Sequence, residues 1–343
     1  MKKVKFGVFA DLHVDIMHDT QERLQVFLDE CRRENVDFII QLGDFCYPDD
    51  NRKVVCAPEQ MPVNIANALC HPTCADKKAI IRMYNDFEKP SYHVLGNHDC
   101  DMCTKAETLK FLEMKTDSFY SFDSGRFHFI VLDTNYIKAK SGETYPYENG
   151  NYFVAGFDSS IEREWISREE ISWLKEDLKK TKYPTIVFSH AQLSTSIVPA
   201  FAVKNSSEVH AVLENAPYGV VACFNGHQHI DICEKEAGIW HVMINSMDNI
   251  WLDTNFVCEK RYGAAIDKKY PNIKYTTPYK DAVFAIVTVA EDGIQIQGRQ
   301  SQFVGPTPEE LGLYDEGTWW SNVYGYRRYF ATPSQEDRYL PIT

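Results

Sequence analysis

Apolar residues along the chain fall into blocks of two kinds. The first kind is short, continuous and rich in Val, Ile and Phe: "VKFGVFA" (4–10), "VDFIIQLG" (36–43), "SYHVLG" (91–96), "FHFIVLD" (127–133), "PTIVFS" (184–189), "VVACFN" (220–225) and "IWHVMIN" (239–245). Runs of this length and β-branched content predict buried strands, covered on both faces. The second kind is periodic. Leu24, Phe27, Leu28 and Cys31 recur at i, i+3, i+4, i+7 and predict a helix over about 19–34; Ile80, Met83, Tyr84 and Phe87 predict another over 76–88. "TKAE" (104–107) and "SREE" (167–170) have the form of capping boxes and open two more amphipathic helices. "AVFAIVTVA" (282–290) and "IQIQGR" (294–299), joined through "EDG", predict a closing β-hairpin.

Strands alternate with helices first and a β-rich stretch follows. This order predicts an α/β domain with two sheets packed between helices. Residues 45–75, rich in proline and cysteine, and the charged stretch 250–280 break the pattern and read as insertions into a domain spanning 1–298. The remainder, 299–343, carries "WWSNVYGYRRYF" (319–330), too aromatic for a disordered tail, and reads as an extension packed onto that domain.

Composition narrows the function. The 343 residues are 44% hydrophobic and 13% aromatic, enough for a large core and unlike a disordered chain. A net charge of −13 disfavours nucleic acid and anionic membranes as partners. The longest apolar runs fall far short of the roughly 20 residues a membrane span needs. "MKK" at the start is charged, but Asp11 and His13 interrupt the apolar stretch after it, so no signal peptide is expected and the chain reads as cytoplasmic. Of ten cysteines, Cys31, Cys46, Cys223 and Cys233 read as small buried hydrophobes. Cys70 and Cys74, with Cys100 and Cys103, read either as a structural zinc or redox site or as free thiols.

The chemistry lies in five polar blocks, each just after a predicted strand: "ADLH" with Asp11 and His13, "LGDF" with Asp44, "LGNHD" with Asn97, His98 and Asp99, "FSHAQ" with His190, and "FNGHQH" with His227 and His229. Each block alone has an ordinary explanation. Asp-x-His can cap a loop, Gly-Asp is a common turn, and a lone histidine after a strand is more often a core residue bonded to backbone. Together they place carboxylates, an amide and imidazoles at the carboxyl ends of five strands, where α/β sheets build their sites.

The ordered set D-x-H, G-D, G-N-H-D, H and G-H-x-H resembles the calcineurin-like metallophosphoesterase superfamily, over residues 11–229. Within it the chain is most similar to the bacterial branch of phosphodiesterase-like and phosphatase-like members. The resemblance implies a four-layer αββα sandwich of two mixed sheets and a dinuclear metal centre. It implies that Asp11, His13 and His229 hold one ion, that Asn97, His190 and His227 hold the other, and that Asp44 bridges them. His98 is then the catalytic histidine and Asp99 positions it. A second tier is suggested by placement alone: Asp15 as acceptor from a ligand histidine, Asn135 and Asn245 as substrate contacts, and Trp251 as packing or pocket wall.

These residue types suit the implied chemistry. Mixed His, Asp and Asn donors fit Mn, Fe or Zn rather than a thiolate-preferring ion. Two divalent ions bring four positive charges; Asp11, Asp44 and a bridging hydroxide return three, leaving about one to attract a phosphate. Ions roughly 3.5–4 Å apart clamp the attacking and leaving oxygens of an in-line displacement. The expected enzyme is a dinuclear metal-dependent phosphoesterase. It hydrolyses a small phosphomonoester or phosphodiester by direct attack of a metal-bridging hydroxide. The alternatives are a nucleotide-diphosphate (pyrophosphate-bond) hydrolase on the same centre and, more remotely, a nuclease or a non-enzymatic scaffold. The insertions and tail are expected to shape the pocket rim or a homodimer contact.

Overall fold

The computed structural model describes residues 3–47, 76–158, 160–194, 196–252 and 255–342. Each continuous apolar block becomes a strand, and the strands assemble into two six-stranded sheets. The order across the first is Arg338–Pro341, Gly293–Gly298, Ala285–Ala290, Val4–Phe9, Phe38–Gln41, Ser91–His93. Its last three strands run parallel, and the others are antiparallel neighbours. The order across the second is Ile232–Glu236, Ile239–Met243, Val220–Asn225, Thr185–Ser189, Phe127–Val131, Tyr120–Ser124. Its four central strands are parallel and both edges antiparallel.

Strand alternation explains why the apolar runs are unbroken. Val4, Phe6 and Val8 point between the sheets, whereas Phe9 and Ile39 point outward under the helices Thr20–Arg33 and Lys77–Asn85. The helical stripe Leu24, Phe27, Leu28 and Cys31 is fully buried there. On the far side, Leu174 and Leu178 of helix Arg168–Lys180 and Val209 and Leu213 of helix Ser206–Glu214 cover Ile130, Val187 and Cys223 of the second sheet. The result is a helix–sheet–sheet–helix stack. Phe6 marks its middle. It stacks on Phe38 at 4.9 Å and meets Phe129, Phe188 and Phe224 of the opposite sheet edge-on at 6.1, 5.6 and 5.9 Å.

Several elements differ from expectation. Thr104 and Glu107 close a reciprocal capping box. Ser167 caps its helix too, but Glu170 turns inward and its carboxylate accepts the Asp133 N–H. Residues 250–280 are not wholly irregular: Asn249–Trp251 pairs with Thr276–Pro278, and a short helix covers Ala264–Lys269. Buried Ile273 and Tyr275 give this segment an apolar side. A small sheet of Thr144–Pro146, Tyr136–Lys138 and Glu162–Trp165 forms where the pattern predicts none. The tail's last strand extends the first sheet, and Trp320 and Tyr324 are buried. Most of the 45–75 insertion, with Cys70 and Cys74, lies outside the described residues. Cys100 and Cys103 are buried free thiols beside the Thr108 hydroxyl. Among the described residues no helix is long and apolar enough to cross a membrane.

The aromatic joint predicts its own sensitivity. Phe6→Ala leaves a cavity where five rings meet and is expected to destabilise the protein by about 3–5 kcal/mol, measured by denaturant unfolding. A loss below about 1 kcal/mol would show that the two sheets do not depend on this joint.

Candidate metal centre and substrate cleft

The five polar blocks follow their strands into one place. The chain leaving Val4–Phe9 stays paired with the chain leaving Phe38–Gln41: Asp11, His13 and Val14 donate their N–H groups to Gly43, Asp44 and Phe45 carbonyls at 3.0–3.1 Å. The Gly226 N–H likewise donates to the His190 carbonyl at 3.1 Å. Backbone pairing beyond the strands thus fixes the donors. Tight turning does the rest. Asp11, His13, Asp44, His227 and His229 all have positive φ, between 44° and 72°, and make up five of the twelve such non-glycine residues among those described. Two glycines admit the close approach. A Cβ on Gly96 would lie 2.1 Å from the Asp44 amide and carboxylate, and one on Gly226 would lie 2.6 Å from Asp11 Oδ2.

The side chains form two adjoining triads. Asp11, His13 and His229 bring ligand atoms within 4.8 Å of one another, as do Asp44, His190 and His227. Asp44 Oδ2 reaches both groups, 3.3 Å from His190 Nε2 and 3.7 Å from His13 Nε2. Asn97 joins the second group, its side-chain oxygen 2.9 Å from His190 Nε2.

The hydrogen bonds set which nitrogens are offered. His190 Nδ1 donates to the Leu42 carbonyl and His229 Nδ1 to the Asn249 carbonyl. Each ring therefore turns Nε2 inward. Inside, His13 Nε2 and His229 Nε2 stand 3.1 Å apart, and buried His227 Nε2 has no hydrogen-bond partner. Burial drives His13 and His227 well below the ordinary imidazole range. For His190 burial acts the same way, but the Asp44 carboxylate outweighs it and raises the imidazole to about 9. Converging donors of this kind need cations between them, and the His, Asp and Asn set fits two borderline divalent ions.

A family model described as calcineurin-like phosphoesterase matches residues 4–231, well over half of the chain. The chain belongs to the calcineurin-like phosphoesterase family. A curated relative, the manganese-dependent ADP-ribose/CDP-alcohol diphosphatase of Oryza sativa subsp. japonica, is 25% identical over 181 residues. That match covers 44% of this chain and 56% of the rice protein. The fold is shared with a dimetal phosphatase from Danio rerio, which superposes with a TM-score of 0.57 at 16% identity, covering 88% of this chain and 98% of that one.

Around the family centre, several expected roles move. Asp99 does not touch His98. Its carboxylate instead accepts the backbone N–H groups of Gly96, Asp44 and Phe45 at 2.7, 3.2 and 2.8 Å, binding two strand-end loops together. The acid that holds His98 is Asp101, whose Oδ2 lies 2.8 Å from His98 Nδ1. It stands two residues beyond the recognised block. Asn135 donates to the Leu95 carbonyl and to Asp133, which also binds Lys105. Asn245 donates to the Thr332 and Ser334 carbonyls and accepts from the Tyr279 hydroxyl. Both asparagines are buried scaffold and neither lines the cleft. Asp15 pairs with Lys77.

The cleft over the centre has a volume of about 650 Å³. The metal-site residues His13, Asp44, Asn97, His227 and His229 form its floor, and Trp251, Tyr275 and Trp319 form part of its wall. Tyr152 and Arg163 complete another side, with the guanidinium 4.5 Å over the Tyr152 ring. Arg163 comes from the small extra sheet, Tyr152 from the short helix Asn151–Phe157, and the others from the 250–280 segment and the tail.

The geometry predicts coupled loss of both ions. Asp44→Asn is expected to lower both metal equivalents together, by about 10-fold or more in affinity, read by elemental analysis of the purified protein. Gly96→Ala should do the same through displacement of Asp44, with the far-ultraviolet circular dichroism kept. Retention of both ions in Asp44→Asn would remove the bridging role.

Proposed function

We propose that the chain is a manganese-dependent hydrolase of nucleoside-diphosphate conjugates, cutting their phosphoanhydride bond. The carrying observation is the cleft of about 650 Å³, which joins the donor set to an aromatic wall. That is room for a nucleotide-sized ligand and far more than a phosphate group needs. The faces of Trp251, Tyr275 and Trp319 suit a nucleobase, and stacking of one base on an aromatic ring contributes about 1–3 kcal/mol. Arg163, the only Arg or Lys among the described lining residues, can pair with a phosphate oxygen. The name of the rice relative supports the same substrate class and the same metal. A small phosphomonoester or phosphodiester would engage the floor and leave the wall unused.

Asp11, His13 and His229 would hold one ion and Asn97, His190 and His227 the other, with Asp44 between, and the pair would supply charge to bind the diphosphate and acidify the attacking water towards a pKa of about 7. The donor set also accommodates iron or zinc. The protein's own part is positioning and proton transfer. The His98 ring lies 5.8 Å from that of His13, at the edge of the centre. Burial opposes its protonation, but the carboxylates of Asp101 and Asp44 prevail and raise it to about 10. Asp101 occupies Nδ1, so Nε2 is the nitrogen that can deliver a proton to the leaving phosphate oxygen.

Two outcomes are expected. With Mn²⁺, turnover of ADP-ribose or a CDP-alcohol should exceed that of aryl monoesters and diesters, and Trp251→Ala should raise KM for the nucleotide substrates alone. A preference for aryl monoesters with no effect of Trp251→Ala would overturn the substrate reading. His98→Ala should keep its metal and lose about 10²–10⁴-fold in kcat. Asp101→Asn should lose less and show a shifted pH profile, since its ring loses orientation and charge support. Full activity in His98→Ala would remove the proton-transfer role.

A further inference from the structure

A third group of metal-ligating side chains lies away from the cleft. His210, Glu236 and His241 bring their ligand atoms within 4.8 Å of one another. They share no residue with the dinuclear centre. His210 comes from helix Ser206–Glu214, and the other two come from the antiparallel pair Ile232–Glu236 and Ile239–Met243. His241 stands two residues from Ile239, so it faces the helix-covered side of the second sheet, where Ile239 packs with Val209 and Leu213.

The local hydrogen bonding leaves the two imidazoles unfinished. His210 is 4% exposed and His241 is fully buried. Their rings stack at 5.2 Å with an interplanar angle of 20°. His210 Nδ1 faces Glu214 Oε1 at 3.3 Å, an arrangement that protonates Nδ1 and leaves Nε2 as a lone pair. That Nε2 has no hydrogen-bond partner, nor has either ring nitrogen of His241. Buried polar atoms rarely remain so, because each costs about 1–3 kcal/mol. One oxygen of Glu236 accepts from the Ser194 hydroxyl, which fixes the carboxylate's orientation. Burial, reinforced by His210, lowers His241 to about 4, so the imidazole is neutral and able to ligate at physiological pH.

We propose that His210, Glu236 and His241 form a third metal site, separate from the dinuclear centre, for a borderline divalent cation with zinc foremost. Two imidazoles and one carboxylate are a recurrent zinc donor set, with water completing the tetrahedron. Calcium and magnesium, which take oxygen ligands, do not fit it. The ion would tie the helix Ser206–Glu214 to the edge hairpin of the second sheet. Through Glu236 and Ser194 it also reaches the loop after His190. Ser194 Oγ accepts the Ile197 N–H there and shapes the loop's turn.

The test is zinc stoichiometry on the full chain. Protein stripped with chelator, equilibrated with Zn²⁺ and desalted is expected to hold about three equivalents, and His241→Gln and His210→Gln about two each. A double variant of the dinuclear centre, Asp44→Ala with His229→Ala, should keep about one equivalent and lose it when His210→Gln is added. Its thermal midpoint should rise by several degrees with Zn²⁺ and stop rising once His210 is replaced. Equal zinc in the wild type and in a folded His241→Gln overturns the proposal. So does a folded centre-broken variant that holds no zinc, which keeps the test decisive even if His241→Gln fails to fold.

Discussion

Every polar group of Asp44 is committed, and the centre depends on that commitment. Its amide donates to Asp99, its carbonyl accepts from His13 N, and its Oδ1 accepts from His98 N. Only Oδ2 is left, and it stands between His190 and His13. A residue held at these three points cannot swing its carboxylate to suit one ion, so its remaining oxygen would stay where both ions could share it. The surrounding left-handed backbone conformations are the consequence. Strand ends that approach this closely must turn within one residue, and side chains other than glycine accept such turns at about 1–3 kcal/mol each. The Asp99 carboxylate and the backbone pairing of residues 11–14 with 43–45 offset that strain.

The role of Asp99 shows how far a sequence pattern reaches. The blocks that carry the candidate donors were legible as blocks because each is local: a buried strand, then a polar side chain, read within a few residues. The four-layer fold was legible for the same reason, since continuous apolar runs and helical stripes each report their own burial. What a carboxylate next to the motif does is not local. Asp99 and Asp101 are both acids after His98, and only the turn Asn97–Cys100 decides that one faces backbone amides and the other the imidazole.

Asn135 and Asn245 fail for a related reason. Polar residues at strand ends serve either a ligand or the backbone, and composition does not distinguish the two. The competing demand is physical. The turn after Phe127–Val131 is buried, so its polar groups must be satisfied, and Asp133, Lys105 and Asn135 satisfy one another. Asn245 does the same for the tail, its backbone N–H donating to Gln335 Oε1 and its side-chain amide to the Thr332 and Ser334 carbonyls. Arg163, Tyr152 and the tail aromatics were illegible as wall because they lie in stretches without periodicity, where no burial pattern marks which side faces the cleft.

This division of labour separates chemistry from selectivity. The donors sit on loops tied directly to the two sheets, whose rigidity fixes them to within the tolerance metals demand. The wall segments hold one another as well as the floor: Trp319 Nε1 donates to the Leu252 carbonyl and joins the tail to the 250–280 segment, Trp320 Nε1 donates to the Tyr329 carbonyl within the tail, and the Tyr324 hydroxyl donates to the Gln228 carbonyl. Such segments can change sequence without disturbing Asp44 or the strands behind it. Differences in substrate among proteins that keep the five blocks therefore belong to the wall, and the floor alone fixes no more than the reaction class. The Gln228 carbonyl that receives the Tyr324 hydroxyl lies between His227 and His229, so this hydrogen bond is a place where a change in the tail would reach the candidate ligands.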